Sequence, residues 1–249
     1  EIRARGKPAQ SDAAVGKAAA FSYITPGAAL NGTDIPAPTV AIQVYDLKGA
    51  PVAPVNQLES TDEKATRARK LAASILAFYY DVFGRNSYDN QGGRILLVLG
   101  DVAAAGAMRD PNTESLRFSD ALDLYRDPPN APRINFAFRA FADAPDYMAH
   151  EFQHAVTAHC ANLNYGNMLE AALHESFSDV FALTFLNWAN GRSGRREPLD
   201  WRFGVGTAFI VTPTGLTPTC TRNFDDPHDA LARDAGFADV PDKMLNLKS

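Results

Sequence analysis

The feature that most constrains this chain is a run of five residues, His150-Glu151-Phe152-Gln153-His154. If the run is helical, His150 and His154 lie one turn apart on the same face, so both imidazoles can reach one metal ion. Glu151 lies one step round the helix, where its carboxylate can reach a ligand of that ion without binding the ion. A hydrolytic zinc site needs two fixed ligands, an open position and a neighbouring base. The alternative is an exposed helix with two histidines, because such a match arises by chance in roughly one chain of this length in a hundred.

A second helical segment downstream can supply the third ligand that zinc requires. It carries apolar residues at helical spacing, namely Leu169, Leu173, Phe177, Val180 and Phe181. Glu175 follows His154 by 21 residues (175 − 154), which leaves room for a loop and an antiparallel partner helix. Asp179 lies one turn after Glu175 and can accept the remaining N–H of a ligating histidine.

The two segments together resemble the thermolysin-like neutral metalloproteases. His-Glu-x-x-His-Ala-Val-Thr, followed about twenty residues later by Glu-x-x-Ser-Asp, is close to that family's signature. The resemblance implies that the zinc ligands are His150, His154 and Glu175. It also implies that Glu151 is the general base, that Asp179 is the hydrogen-bond partner of His150, and that Tyr165 donates a hydrogen bond to the oxyanion.

The resemblance covers about residues 39–227 and implies an α+β fold with two lobes and the active-site helix between them. Residues 1–142 would form a strand-rich N-terminal lobe. Residues 143–249 would form an incomplete helical C-terminal lobe that carries the zinc ligands. An extended substrate would bind between the lobes, with Gly106 to Arg109 in the place of the family's substrate-pairing edge strand.

Local patterns give a coarse order of elements. Strands are predicted at residues 39–47, 94–99, 115–118 and 134–138. A capping box with Ser60 as N-cap and Glu63 at the third helical position predicts a helix that stops at Gly84. The motif helix is expected to begin near Pro145, and the next helix to run to about Asn190. Mostly loops are expected after Arg192.

The sequence departs from the family in ways that bear on activity. The family has a histidine oxyanion donor in a Gly-Gly-Val-His-like segment, and the C-terminal histidine of this chain, His228, stands in a different context. Loss of one such donor typically costs a factor of about 10²–10³ in rate. The chain is therefore expected to be a fragment, one of two polypeptides, or a short form.

Two further departures concern metals. Asp146 and Asp200 match acidic positions of the family's calcium sites, whereas Leu186, Arg202 and Val205 replace others, so no double calcium site is expected. His174 stands where the family commonly has asparagine, and a solvent-facing or core-edge side chain is favoured over a fourth zinc ligand. His159 lies off the metal face and is interpreted as structural.

Composition narrows the partners of this chain. Its 249 residues carry a net charge of −5 without a pooled basic patch, which argues against nucleic acid. No apolar run approaches the roughly 18 residues of a membrane span. The resemblance implies secretion or periplasmic export, peptide or protein substrates, and a prodomain or missing C-terminal portion as partner. Cys160 and Cys220 could form a disulfide or remain free thiols.

The leading hypothesis is a zinc-dependent endopeptidase that hydrolyses peptide bonds through a zinc-bound water activated by Glu151. One alternative is an inactive zinc-binding fragment, or a structural or binding module of the same fold. Intact Glu151 argues against a purely structural site, because such a site needs no base. The other alternative is half of a two-chain enzyme.

Overall fold

The chain forms two compact units in a computed structural model. The structure describes residues 2–4, 40–47, 59–101, 104, 106–126, 134–161, 163, 166–193 and 199–225. The strands within them are β1 (Ile2–Ala4), β2 (Ile42–Asp46), β3 (Ile95–Leu99), β4 (Ala107–Asp110), β5 (Ser115–Phe118), β6 (Leu122–Arg126), β7 (Ile134–Phe138), β8 (Arg202–Phe203), β9 (Ala208–Thr212), β10 (Gly215–Pro218) and β11 (Arg222–Asn223). The helices within them are α1 (Glu63–Phe83), a 3-10 turn (Phe141–Asp143), α2 (Pro145–Cys160) and α3 (Met168–Arg192). This mixture confirms the α+β class.

One unit contains β2 to β5 and the helices. Its sheet has the order β2-β3-β5-β4, in which β2, β3 and β5 run parallel and β4 is antiparallel to β5. Parallel neighbours need a crossover connection, and α1 supplies it between β2 and β3. The predicted strand at residues 106–109 is confirmed as β4, at the edge of this sheet.

Helix α1 begins at a different cap from the predicted one. Asp62 is the N-cap, and its side chain accepts a hydrogen bond from the backbone N–H of Ala65. Ser60 was predicted for this role and instead donates its backbone N–H to the carbonyl of Val44. An aspartate caps as well as a serine, so the capping-box prediction was wrong by two residues. The stop is as predicted, with Gly84 at φ +64°, a left-handed conformation that favours glycine.

Helices α2 and α3 pack against each other, and an aromatic cluster joins them to α1. Tyr79 of α1 contacts Phe152 of α2 and Phe181 of α3, with ring centroids 4.9 and 6.3 Å apart. The predicted apolar stripe of α3 is not its buried face, since Leu169, Phe177 and Val180 are exposed. The face of α3 that is buried consists of His174, Ser178, Asp179, Ala182, Leu183, Phe185 and Ala189.

The other unit contains a five-stranded antiparallel sheet with the order β1-β6-β7-β9-β10 and a two-stranded ladder of β8 and β11. Alternating residues Phe136 and Phe138 of β7 are buried in it, as are Phe203 and Phe209. The expectation of mostly loops after Arg192 therefore missed four strands within residues 199–225. Short strands such as Gly215–Pro218 carry proline and threonine rather than a long apolar alternation, so periodicity did not reveal them. The predicted lobe boundary at residue 142 stays a prediction.

Candidate metal centre

Helix α2 carries its polar motif on a largely buried surface. Pro145 occupies the first helical position after the N-cap Ala144, as the sequence predicted. From Met148 to Thr157 every residue is buried. His150 and Glu151 are 5% exposed and His154 is 7% exposed. Buried polar groups are costly unless they are paired, so these three side chains are held in place by partners rather than by solvent.

The imidazoles of His150 and His154 converge on the carboxylate of Glu175. Nε2 of His150 lies 3.2 Å from Oε2 of Glu175, and Nε2 of His154 lies 3.5 Å from Oε1. The two rings meet edge to face, with centroids 4.5 Å apart. Helix α3 therefore brings Glu175 to the two histidines, an arrangement for which the 21-residue spacing leaves room.

The donor set fits a zinc ion. Ligands bound at 2.0–2.1 Å to a tetrahedral zinc lie about 3.3–3.4 Å from one another, and the distances from Glu175 to the two imidazoles bracket this value. Two imidazole nitrogens and one carboxylate oxygen are a donor set that zinc accepts. The Glu175 side chain is 49% exposed, so the site opens to solvent on that side. A coordination position could thus be reached by a small molecule from outside.

Glu151 is the second carboxylate beside the histidines. One of its oxygens lies within 4.8 Å of a ring nitrogen of His150 and of one of His154. It is buried, whereas Glu175 is half-exposed. Geometry alone thus offers two carboxylates as the third ligand. Of the two, Glu175 is the one that approaches both Nε2 atoms, at 3.2 and 3.5 Å.

His150 has a carboxylate behind it. Its Nδ1 lies 2.9 Å from Oδ1 of Asp179, a residue 4% exposed and one turn after Glu175. Burial alone would lower the pKa of His150, but hydrogen bonds with Asp179 and Glu175 outweigh it and raise the pKa to about 9. A carboxylate in this position fixes ring orientation and makes the ligating nitrogen more basic.

His154 has a different partner behind it. Its Nδ1 lies 2.7 Å from Nδ1 of His174 and 3.0 Å from Oγ of Ser178. Burial, and then the charge of His150, lower the pKa of His154 to about 3, and burial also lowers the pKa of His174. A solvent-facing or core-edge His174 was expected, and the solvent-facing alternative is wrong because this residue is 2% exposed. Reasoning from the sequence missed Ser178. It lies four residues after His174 on α3, just as Asp179 lies four residues after Glu175.

The other residues singled out in the sequence lie away from the two histidines or outside the described residues. Tyr165 and His228 lie outside the described residues, so their roles stay predictions. His159 is off the metal face, as predicted, and its Nδ1 lies 2.9 Å from the carbonyl oxygen of Ala155. Cys160 and Cys220 are free thiols, the first exposed and the second buried.

The two aspartates considered for calcium have local partners. The buried Asp146 accepts the backbone N–H of Tyr147 at 2.9 Å. Asp200 accepts two hydrogen bonds from the guanidinium of Arg202, each 3.0 Å long. Whether calcium binds at either residue stays a prediction.

Comparisons with known proteins point to one family. Bacillolysin of Bacillus amyloliquefaciens is 32% identical over 152 residues, which cover 60% of this chain and 26% of bacillolysin. An extracellular elastase of Staphylococcus epidermidis is 38% identical over 104 residues, covering 42% of this chain and 19% of the elastase. Thermolysin of Alicyclobacillus acidocaldarius is 30% identical over 168 residues, covering 68% of this chain and 26% of thermolysin. Over these stretches the chain is similar to the thermolysin-like metalloproteases.

A solved structure shares the thermolysin-like fold. The precursor of protealysin, a metalloproteinase from Serratia proteamaculans, superposes with a TM-score of 0.57 at 22% identity. The match covers 79% of this chain and 57% of that one. No family model matches the sequence. The stretch shared with the bacillolysin and elastase relatives spans about a quarter of their length.

No helix among the residues that the structure describes is both long enough and apolar enough to cross a membrane.

Proposed function

We propose that this thermolysin-like chain carries the zinc site of an endopeptidase, with His150, His154 and Glu175 as ligands and Glu151 as general base. The observation that supports the proposal is the approach of both Nε2 atoms to one carboxylate, 3.2 and 3.5 Å away, with a second carboxylate beside them. A purely structural zinc site would close its fourth position with another protein ligand and would need no adjacent base.

Zinc bound there would act as a Lewis acid that polarises a peptide carbonyl and lowers the pKa of water. The chain's own residues orient the ligands and transfer protons. Asp179 orients His150 through Nδ1, and the Glu151 carboxylate lies beside both histidines, within 4.8 Å of a ring nitrogen of each. Glu151 takes a proton from the attacking water and passes it to the leaving amine. Tyr165 would donate to the oxyanion of the tetrahedral intermediate.

An extended peptide would be held by strand β4. This strand pairs with β5 on one side, lies at the edge of its sheet, and packs against α2. An edge strand presents backbone N–H and C=O groups to which another extended chain can add. A substrate aligned on Ala107 to Asp110 would thus run past the helix that carries the histidines. In binding of this kind, hydrogen bonds to the peptide backbone give affinity, and pockets around the strand give side-chain specificity.

The proposal is tested by hydrolysis of a quenched peptide library by the chain as it stands, with and without a zinc chelator. Glu151→Gln is measured beside it, with Glu63→Gln as the matched control, because the Glu63 side chain is 90% exposed. Chelator-sensitive cleavage that Glu151→Gln abolishes and Glu63→Gln retains is the expected result. Cleavage that survives both chelator and Glu151→Gln would overturn the proposal.

Absence of cleavage with one zinc bound would mean that the metal serves structure in this chain, or that a second polypeptide completes the enzyme. Addition of a longer form of the protein, or of a separately made C-terminal portion, distinguishes these outcomes. Recovery of cleavage on addition favours the incomplete enzyme. No recovery favours the structural module.

We also propose that the protein works outside the cytoplasm. Relatives of this chain include extracellular elastases, and the protealysin structure is that of a precursor, which suggests a prodomain as a partner. Fractionation of the source cells tests the location. Recovery of the protein from the medium or periplasm is expected, and recovery from the cytoplasm alone would contradict it.

A further inference from the structure

The Nδ1 atoms of His150 and His154, the two proposed zinc ligands on α2, have different hydrogen-bond partners. Nδ1 of His150 faces the carboxylate of Asp179, whereas Nδ1 of His154 faces a second imidazole and a hydroxyl. His174 is 2% exposed and Ser178 is fully buried. Both lie on the buried face of α3, one residue before Glu175 and Asp179 respectively. One helix face thus carries a proposed ligand and the partners of both histidines.

The 2.7 Å separation of two imidazole nitrogens constrains where their protons lie. Two protonated nitrogens cannot face each other at that distance, and neither can two lone pairs, so one donates and the other accepts. An imidazole that offers Nε2 to a metal carries its proton on Nδ1. His154 is therefore the donor when a metal is bound. His174 is the acceptor, with its own proton on Nε2.

We infer that His174 is a positioning residue, which holds the proton of His154 on Nδ1 and so turns Nε2 of His154 toward the metal, with Ser178 as an auxiliary partner. The inference rests on the proposed zinc site and deepens it. His174 lies closer to Nδ1 than Ser178 does, 2.7 against 3.0 Å, so His174 makes the larger contribution. Without His174, a buried N–H would have only the serine oxygen as acceptor. Substitution of such partners typically weakens metal binding by about 10–100-fold.

The test measures zinc affinity by competition with a chromophoric chelator at one pH, on the full chain. His174→Leu removes the acceptor but fills a similar volume, and about 10–100-fold weaker zinc binding is expected. His174→Asn keeps an acceptor in its amide oxygen and is expected to bind zinc nearly as well as the unaltered chain. Ser178→Ala should show a smaller loss than His174→Leu. His159→Leu is the control of the same type away from the metal, and it should leave zinc affinity unchanged.

A spectroscopic measurement separates positioning from a structural role, and its first part uses only the unaltered chain. In the zinc-loaded chain with 15N-labelled histidine, we expect the ring proton of His154 on Nδ1, with a downfield resonance that His174→Asn retains and His174→Leu displaces or loses. A proton on Nε2 of His154, or unchanged affinity and resonance in His174→Leu, would overturn the inference. If the unaltered chain binds no zinc, the proposed function fails first and this inference falls with it.

Discussion

Oδ1 of Asp179 lies 2.9 Å from Nδ1 of His150, and both side chains are almost fully buried. Asp179 is on α3 and His150 on α2, so the contact fixes one helix against the other at the site. The carboxylate orients the imidazole and holds Nε2 toward Glu175, which is 3.2 Å away. The same contact therefore serves the packing of the two helices and the direction of a proposed ligand.

Asp179 is expected to contribute to zinc affinity through both its charge and its hydrogen bond. Asp179→Asn keeps an acceptor and loses the charge, so a modest loss of affinity is predicted. Asp179→Ala loses both, and about 10–100-fold weaker binding is predicted. Chelator competition gives the order of affinities, unaltered chain first and alanine variant last. An asparagine variant weaker than the alanine variant would contradict this account of Asp179.

The metal-free chain should lose stability as pH rises from 6.5 to 9. The pKa of His150 is raised from 6.5 to about 9, so its protonated form stabilises the fold fully below pH 6.5, and that contribution is lost as pH rises through 9. The loss amounts to roughly 3 kcal/mol in the free energy of unfolding. Urea unfolding with a chelator present measures it. Asp179→Asn is the control and should flatten the dependence, because it removes one of the groups that raise the pKa of His150.

The same pKa predicts proton release on zinc binding. At pH 6, below the pKa of about 7 of a zinc-bound water, the metal-free His150 is protonated and His154, with a pKa of about 3, is neutral. A ligating nitrogen must give up its proton, so about one proton should be released per zinc bound, and it should come from His150. Zinc uptake in a weakly buffered indicator solution counts the protons. Zinc uptake without proton release would show that His150 is already neutral in the metal-free chain.

Tyr79 should stabilise the packing of α1 on the motif helix through one buried hydrogen bond. Its hydroxyl donates to Oε1 of Gln153, whose Nε2 donates to Oγ1 of Thr157 at 2.9 Å. Tyr79→Phe leaves that amide oxygen buried without its donor, and a loss of about 1–3 kcal/mol in unfolding free energy is predicted. Urea denaturation measures it, with Tyr80→Phe as the control on the adjacent, less buried tyrosine. Equal stability of the two variants would contradict the assigned role of the bond.

The sequence predicted the parts of the site that depend on helical spacing. His150 and His154 on α2, and Glu175 and Asp179 on α3, lie four residues apart, so the shared face within each pair followed from residue numbers alone. That the two pairs meet was implied by the family resemblance. The role of His174 did not follow, because its neighbour is set by how α3 is rotated against α2. The exposed stripe of α3 was misread for the same reason, since Phe177 and Val180 have helical periodicity without burial.

The strands that were predicted correctly have clear local sequence patterns. β3 is an apolar run in a parallel sheet, whereas β5 alternates polar and apolar residues, and both were predicted within a residue of their observed ends. β9 and β10 form a hairpin in which Thr212 pairs with Gly215. β9 is a largely apolar run from Ala208 to Thr212, a local strand signal that was missed, whereas threonine, proline and glycine make up most of the turn and β10. The pairing of β9 with β7 is a long-range contact that no local pattern encodes.

The central claim is that Glu175 binds zinc while Glu151 acts as base, and the zinc content of two matched variants tests it most directly. Both substitutions remove one negative charge beside the same two histidines, so charge alone cannot separate them. Dialysis against buffered zinc should leave Glu151→Gln with one zinc per chain and an affinity near that of the unaltered chain. Glu175→Gln should lose zinc by at least about 10-fold in affinity. The reverse pattern, with zinc lost in Glu151→Gln and kept in Glu175→Gln, would contradict the account.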